Sequence, residues 1–492
     1  MQKRDIFSAL QYNVTVLEII KFIKQKTEKK SMRFDQHFVK GVLPDAEIPY
    51  ASFPQDVSFS VDTRTLQPGN IFVAVSGAQV DGHNFIGQAL AKNAGGLFIA
   101  VHKKELLATL DQRQLKNILV IIVPDTLHAF IKLASAWRDQ FTYPVVGITG
   151  SVGKTSTKEI LKNILRLNDI PFIASEGNQN TRIGVAINIF NMRANHKVAI
   201  LELGISKRGE MAELAKIARP TTAIITGIGH AHMEGLGSLA DIALEKRDIF
   251  KYFTEASIGI INGDQPLLAN VGYNHPVVKF GCKTINQIQA RKIQSSGGSI
   301  SFILKIYREK YTISLQHVHE GAVMNSLAAT AAAYLLNIPV AGIIKGIQQQ
   351  LQVAGRFEEK TLARKKGKII HDCYNANPES MKAALLAFQK IETTGQKIAV
   401  LGDMLELGVN SPFWHRQLGR FLRKVPSLKY LILVGDMVKW TYKTVPVTVS
   451  VDIVQSWQEA VAKLEEKLAG ESVVLVKGSR GIALDNLVQK FT

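Results

Sequence analysis

The sequence predicts an α/β protein of three domains, each built on a mainly parallel sheet. Short β-branched runs alternate with amphipathic helical stretches along almost the whole chain, the rhythm of strand–helix–strand units whose crossovers enforce parallel pairing. At 492 residues the chain also exceeds what one hydrophobic core encloses, because single domains stop growing at about 250 residues. Its 46% hydrophobic and 21% charged residues supply several cores without a long low-complexity tract.

The first block, 1–142, holds strand candidates at Asn70 to Val75, Leu97 to Val101 and Ile118 to Val123. A helix through Trp137 then stops before Tyr143-Pro144, where proline disfavours helix and marks a linker. The first 30 or so residues of this block read as an extension. The second block, 143–353, opens with the apolar run Val145 to Thr149, a Gly-rich turn, and a helix with apolar positions Ile160, Leu161, Ile164 and Leu165. Later strands are expected at Lys197 to Leu203 and Thr222 to Ile228. A boundary near Val353-Ala354-Gly355 begins the third block, 354–492, where Lys368 to Tyr374, Lys397 to Gly402, Tyr430 to Val434 and Ser472 to Val476 repeat the rhythm. This block reads as a small Rossmann-like domain. It lacks GxGxxG after its first strand, which argues against a dinucleotide.

Cys282 and Cys373 are the only cysteines. They offer neither a disulfide framework nor a zinc pattern, and fit a reducing, cytoplasmic compartment. The basic start MQKRDIF leads to Val14 to Ile20, which contains Glu18 and continues into KFIKQKTEKK without a small-residue cleavage pattern, so no signal peptide is read. Ala322 to Ile344 spans 23 residues without a charge, long enough to weigh as a membrane span. Asn325, Ser326, Thr330, Asn337 and Pro339 interrupt it, and its Ala-rich first half reads as a buried helix ending near Asn337.

A net charge of +19, from 60 Lys and Arg against 41 Asp and Glu, favours anionic partners. The basic residues are spread out, with small clusters at Lys21 to Lys30 and Arg364 to Lys368 and no aromatic interleaving of the kind that tracks single-stranded nucleic acid. A phosphorylated small substrate accounts for part of this charge, and solvated surface for the remainder.

Thr149-Gly150-Ser151-Val152-Gly153-Lys154-Thr155 lies between a buried strand and an amphipathic helix, the context of a phosphate-binding loop. Glycines let backbone N–H groups close around phosphate oxygens, Lys154 supplies a point charge, and the Thr155 hydroxyl suits Mg²⁺. The strict pattern wants glycine at Ile148, so this is a variant loop, and a structural Gly-rich turn is the competing reading. Glu202 and His232 fall at later strand ends. Each alone reads as a cap or a satisfied hydrogen-bonding residue; beside a phosphate loop they become candidate ligands for a hard cation. The pair His230 and His232 raises zinc, but no third ligand stands at customary spacing. Lys246 reads as a solvated helix charge. The basic balance leaves a nucleic-acid-dependent or regulatory P-loop ATPase as the rival from another class, although no helicase-like series of motifs is present.

The strings TGSVGKT, EGNQNTRIG, ELG with a following GE, GIGHAHMEGLGS, HDCYNANPES, LGDMLELG and VKGSRG occur in this order. Together they resemble the Mur ligase family, from about Ser60 to the C-terminus. YNANP and LGDMLELG point to the branch that joins D-alanyl-D-alanine to UDP-N-acetylmuramoyl-tripeptide, rather than to sister ligases or the related folylpolyglutamate synthases.

The resemblance implies an ATP-dependent amide ligase of peptidoglycan synthesis, working through an acyl phosphate and releasing ADP and phosphate. It implies an N-terminal domain for the UDP end, a central P-loop ATPase, and a C-terminal Rossmann-like domain that closes over the nucleotide and carries the incoming amine. It assigns Gly150, Ser151, Gly153, Lys154, Thr155 and Ser156 to ATP, and Thr155, Glu202 and His232 to Mg²⁺. It also implies a carbamoylated Lys246, an anion able to hold a second Mg²⁺ where an ammonium would repel it. Asn325 is assigned to the adenine, Arg356 and Asp372 to the nucleotide from across the domain junction, Thr63, Arg64, Asp81 and His83 to the uridine substrate, and Asn375 to substrate. A cytoplasmic monomer is expected, with no nucleic acid partner and no membrane insertion. Three positions depart from the family pattern: Gly321 where relatives often have His, His371 for a frequent Asp, and Arg182 for a usual Glu or His.

Overall fold

The structure, a computed structural model, describes residues 33–492 apart from 78, 317–318, 350 and 364–366; the N-terminal extension and both basic clusters, except for Gly367 and Lys368, lie outside the described residues. Three sheets follow one another along the chain. The first contains β1 (Glu47–Ala51), β2 (Phe59–Ser60), β3 (Ile71–Val73), β4 (Gly96–Ala100) and β5 (Leu119–Val123), in the order β1-β5-β4-β3-β2. All pairs are parallel except β1 with β5. β3 to β5 fall on the three expected runs. β1 and β2 were not expected, because EIPYA carries a proline and a two-residue strand is too short to show a period.

The central sheet contains β6 (Val145–Thr149), β7 (Phe172–Ala174), β8 (Val198–Glu202), β9 (Thr222–Ile225), β10 (Ile258–Asn262), β11 (Val277–Gly281), β12 (Ile288–Ser296), β13 (Ser299–Ile306) and β14 (Glu309–Leu315). Their order is β14-β13-β12-β11-β10-β9-β6-β8-β7. Pairing is parallel as far as β12, after which β12, β13 and β14 form an antiparallel meander. The other pairs keep the sheet mainly parallel, as expected; the meander is not read from the sequence. Its basis is visible in SISFILKI, where Ile300, Phe302, Leu304 and Ile306 alternate inward, the pattern of a strand with one buried face.

In the third sheet β15 (Glu358–Thr361), β16 (Gly367–His371), β17 (Lys397–Gly402), β18 (Leu428–Val434), β19 (Ser450–Val454) and β20 (Ser472–Lys477) are ordered β15-β16-β20-β17-β18-β19. Only β15 runs antiparallel. The four expected runs are β16, β17, β18 and β20. The half-exposed edge strands β15 and β19 lack the apolar run that marks a buried strand.

The charge-free stretch 322–344 forms two helices, Gly321–Leu335 and Val340–Gln348, broken at Asn337 and Pro339. Both pack on the helix Lys154–Leu167; the approach is so close that a Cβ on Gly346 would lie 2.5 Å from Ile164. Among the described residues no helix is long and apolar enough to cross a membrane.

The first two sheets share one apolar core. The Phe190 ring lies 4.2 Å from that of Phe59, stacks at 5.3 Å on Phe130 and sits 6.2 Å from Trp137. Buried Arg138 ties the same seam by donating to the carbonyls of Ala218 at 3.0 Å and Phe141 at 2.7 Å. The third sheet has separate cores on its two faces. Between its central strands, buried Asp403 accepts hydrogen bonds from the N–H groups of Asp436, Met437 and Val438 at 3.0, 3.1 and 2.8 Å, pinning the turn after β17 to the turn after β18. Removing a buried, charged acceptor strands those donors. Asp403→Ala is therefore expected to destabilise this domain by about 2–4 kcal/mol, and Asp403→Asn by less, since its amide oxygen still accepts. Urea denaturation checks this: an unchanged midpoint for Asp403→Ala contradicts the pinning role.

Candidate active site

Open parallel sheets bind ligands beyond the carboxyl ends of their strands, and here the polar residues concentrate beyond β6, β8 and β9. The loop after β6 needs two glycines. Gly150 has φ +151°, and a Cβ there would lie 2.0 Å from Thr226 Oγ1; Gly153 has φ +84°, and its Cβ would lie 2.3 Å from Asn325 Oδ1. The loop is tied to the end of β9, with the Ser151 N–H donating to Gly227 O at 2.8 Å and its hydroxyl to Gly229 O at 2.9 Å. Lys154 begins the following helix and curls back, its Nζ donating to Gly150 O at 2.7 Å. Burial pushes the Lys154 ammonium below the usual lysine range; the Glu202 charge opposes this and the Arg356 charge adds to it.

Glu202 closes β8 and is buried, 1% exposed. Its Oε1 accepts from the Thr155 hydroxyl at 3.2 Å and the Asn180 amide at 3.0 Å. Its Oε2 lies 3.6 Å from the Lys158 ammonium and accepts no hydrogen bond. Lys158, one turn beyond Lys154, is also buried and donates to Ser175 O at 2.8 Å. A lysine in the apolar stripe with Leu161 and Leu165 is the signal that sequence reading missed.

His232, at φ +58°, caps a short helix and turns to the third domain, its Nδ1 2.5 Å from Glu406 Oε2. His230 likewise pairs with Glu379 through Nδ1, and its N–H donates to Glu379 Oε2 at 3.0 Å. The structure thus spends the His-x-His pair on the domain junction. Among the described residues no three His, Cys, Asp or Glu side chains gather as a metal-binding group.

The third domain delivers Arg356, whose guanidinium lies 3.9 Å over the Tyr374 ring and 3.5 Å from Thr155 Oγ1. Asp372 pairs with buried Lys477 at 2.9 Å, and Lys477 also donates to Asn375 O at 3.0 Å. Between the two domains lies a cleft of 780 Å³ lined by Ser151, Gly153, Lys154, Ser156, Glu202, His232, Asn325, Arg356, Asp372 and Asn375, with Glu406 and Lys477 joining them. The structure therefore brings most of the expected nucleotide residues together. Gly150 and Thr155 lie just behind the lining, in the contacts given above.

Lys246 is buried in the helix Leu239–Arg247 and lies outside the cleft lining, not on a solvated face. Burial first, and the neighbouring Lys154 charge second, hold its amine well below the usual lysine range. The four expected uridine contacts also stand apart from this cleft. Thr63 is buried with its hydroxyl on Gln88, and Arg64 is exposed beside Asp62 at 2.6 Å. His83 is buried: Nδ1 meets Asp81 Oδ1 at 2.6 Å, and Nε2 accepts from the Ala100 N–H at 3.0 Å. Both ring nitrogens are engaged inside the domain, so His83 shapes this loop.

The three departures have local accounts. Arg182 pairs with Glu213 at 2.9 Å, and His371 faces Glu358 at 3.1 Å. At Gly321 a Cβ would meet His319 at 2.7 Å; His319 lines the cleft two residues earlier.

Three family models cover most of the chain: the Mur ligase family catalytic domain at residues 58–138, the Mur ligase middle domain at 148–333, and the Mur ligase glutamate ligase domain at 355–480. The UDP-N-acetylmuramoyl-tripeptide–D-alanyl-D-alanine ligase of Bacillus subtilis is 32% identical over 470 residues, covering 94% of this chain and 98% of its own. Among solved structures, MurF from Acinetobacter baumannii superposes with a TM-score of 0.79 at 27% identity, over 93% of this chain and 98% of that one. MurF ligase from Thermotoga maritima, in complex with ADP, superposes at 0.75 with 28% identity, over 89% and 97%. Phosphate loop, three-sheet architecture and relatives agree: the chain belongs to the Mur ligase family.

Proposed function

We propose that this protein is the ATP-dependent ligase that adds D-alanyl-D-alanine to UDP-N-acetylmuramoyl-tripeptide in peptidoglycan precursor synthesis. The observation that carries the reading is the phosphate loop, closed by Gly150 and Gly153 and faced by Glu202 from β8 and Arg356 from the third domain. The curated relatives carry this activity in their names over nearly the whole chain.

In the proposed reaction the tripeptide carboxylate attacks the γ-phosphorus of ATP, ADP leaves, and the amine of the dipeptide then displaces phosphate from the acyl phosphate. The first step brings anions together, a repulsion of about 4 kcal/mol between unit charges about 4 Å apart at an effective dielectric of about 20. Lys154 and Arg356 are the cations positioned to offset it, aimed where phosphoryl charge develops. The third domain, meeting the central one through His230–Glu379 and His232–Glu406, excludes water from the acyl phosphate.

The residues fit Mg²⁺. Glu202 Oε2 is a buried anionic oxygen without a hydrogen-bond donor, and the Thr155 hydroxyl lies beside its partner oxygen. These two would hold the ion, with His232 as a further candidate; the metal would supply charge neutralisation on the phosphates. Lys246 suits carbamoylation because its depressed basicity leaves a neutral amine to attack CO₂, releasing one proton, and the resulting anion would offset the Lys154 charge. ATP use supports a cytoplasmic reaction. One chain supplies both walls of the cleft, and we read the working unit as a monomer without a nucleic acid partner.

Four outcomes are expected. Lys154→Ala lowers ligation on the order of a thousandfold while thermal unfolding is retained; near-parental turnover by the folded variant refutes the assignment. When UDP-tripeptides carrying lysine and diaminopimelate are offered in turn, product mass shows the added dipeptide on the one the enzyme accepts and ADP and phosphate accumulate, whereas AMP and pyrophosphate would indicate adenylation. Gly150→Ala, which forces a Cβ into Thr226 and adds backbone strain of order 1–3 kcal/mol, weakens ADP binding about tenfold or more by calorimetry. For Lys246, ¹³C NMR in ¹³C-bicarbonate should show a carbamate resonance that Lys246→Arg abolishes, and its absence from the parent protein removes that part of the proposal.

A further inference from the structure

From Ser411 to Val449 the chain carries seven Lys and Arg against the single acidic residue Asp436. The fold gathers six of these cations, all but Lys429 of β18, on one surface. The helix Ser411–Phe421 buries Ser411, His415 and Leu418 and directs Arg416 and Arg420 outward, and the 3-10 turn Leu422–Lys424 that continues it exposes Arg423 and Lys424. The helix Val438–Tyr442 packs beside it, burying Val438 and Thr441 and exposing Lys439, with Lys443 at its end. The two helices are stitched together by Trp440, whose ring lies 4.9 Å beneath the Arg416 guanidinium and 4.2 Å from Lys443 Nζ. The ion pairs of this domain involve other residues, so none of these six cations is neutralised by a carboxylate among the described residues. No step of the proposed reaction uses them.

We propose that this face docks peripherally on an anionic lipid bilayer. Charge complementarity argues for an anionic partner, and two features select a bilayer over nucleic acid. Beside the cations stand apolar tips that serve no core: Tyr442 is 52% exposed and Val447, in the loop that follows, is 101% exposed. A basic surface carrying exposed Tyr and aliphatic tips suits the headgroup boundary. A single-stranded nucleic acid instead needs open aromatic faces for base stacking. Here Tyr442 and Phe413 are exposed singly, while Trp440 is overlaid by Arg416 and Lys443 and Phe421 lies within 5.8 Å of Lys382 and 5.4 Å of Lys424, so no run of open faces stands ready for successive bases. The two halves of this face, 411–424 and 438–447, are separate in sequence, and tertiary packing joins them.

The test uses the purified full chain and flotation with vesicles of equal phosphatidylglycerol and phosphatidylcholine, or of phosphatidylcholine alone. Binding is expected only to the anionic vesicles and weakens as salt shortens the screening length. Each basic residue near such a surface contributes about 1 kcal/mol, so Arg420→Gln/Arg423→Gln/Lys424→Gln should bind roughly a hundredfold more weakly. A control with three charges removed from the β12–β14 meander, Lys292→Gln/Arg308→Gln/Lys310→Gln, should bind like the parent. Unchanged ligation in solution by both variants shows that they are folded. Parental binding by the first variant, equal loss in the control, no vesicle binding at all, or tighter binding to a 20-base oligonucleotide than to the vesicles each overturns the proposal.

Discussion

A carboxylate buried at the end of β8 next to a buried ammonium organises the cleft. Two charges removed from water must compensate each other and satisfy their remaining hydrogen-bonding capacity. Lys158 does so with Glu202 and the Ser175 carbonyl, and Glu202 does so with Thr155 and Asn180. This fixes the helix after the phosphate loop against β8, fixes the segment after β7, and orients the loop itself. Oε2 of Glu202 accepts no hydrogen bond and has the Lys158 ammonium 3.6 Å away, so it keeps capacity for a further donor or cation from the cleft.

The two seams of the molecule differ in kind. Between the first and central sheets, Phe59, Phe130, Trp137 and Phe190 form one aromatic core, and separating the sheets would expose apolar surface to water. Between the central and third sheets the contacts are mostly polar: His230 with Glu379, His232 with Glu406, Arg356 with Thr155, Asn377 with Ser151. Water can replace such partners at little net cost. The first seam therefore holds and the second can open, which a cleft assembled from both sides requires for substrate entry.

Much of the site was legible. The loop from Gly150 to Thr155 could be read because its chemistry is local: glycines, a lysine and a hydroxyl on consecutive residues between a strand and a helix. Glu202 could be read from its place at a strand end. Lys158, Glu406, Glu379 and Lys477 were not assigned roles, although each lies inside or next to a recognised string, because an ion pair between residues far apart in sequence leaves no periodicity. Lys246 shows the same limit. Its sequence neighbours Glu245 and Arg247 make it look solvated, while the fold buries it beside Lys154.

By itself the sequence determined the alternation of strands and helices, the buried runs that became β6, β8, β17 and β20, and the chemistry of the phosphate loop, because burial periodicity and turn geometry act over a few residues. Tertiary structure decided the rest: the antiparallel meander and the edge strands, the turn of His232 towards Glu406, and the internal engagement of His83. It also decided the gathering of dispersed cations on one face of the third domain. These outcomes depend on which distant surfaces meet, and only the packing of whole elements settles that.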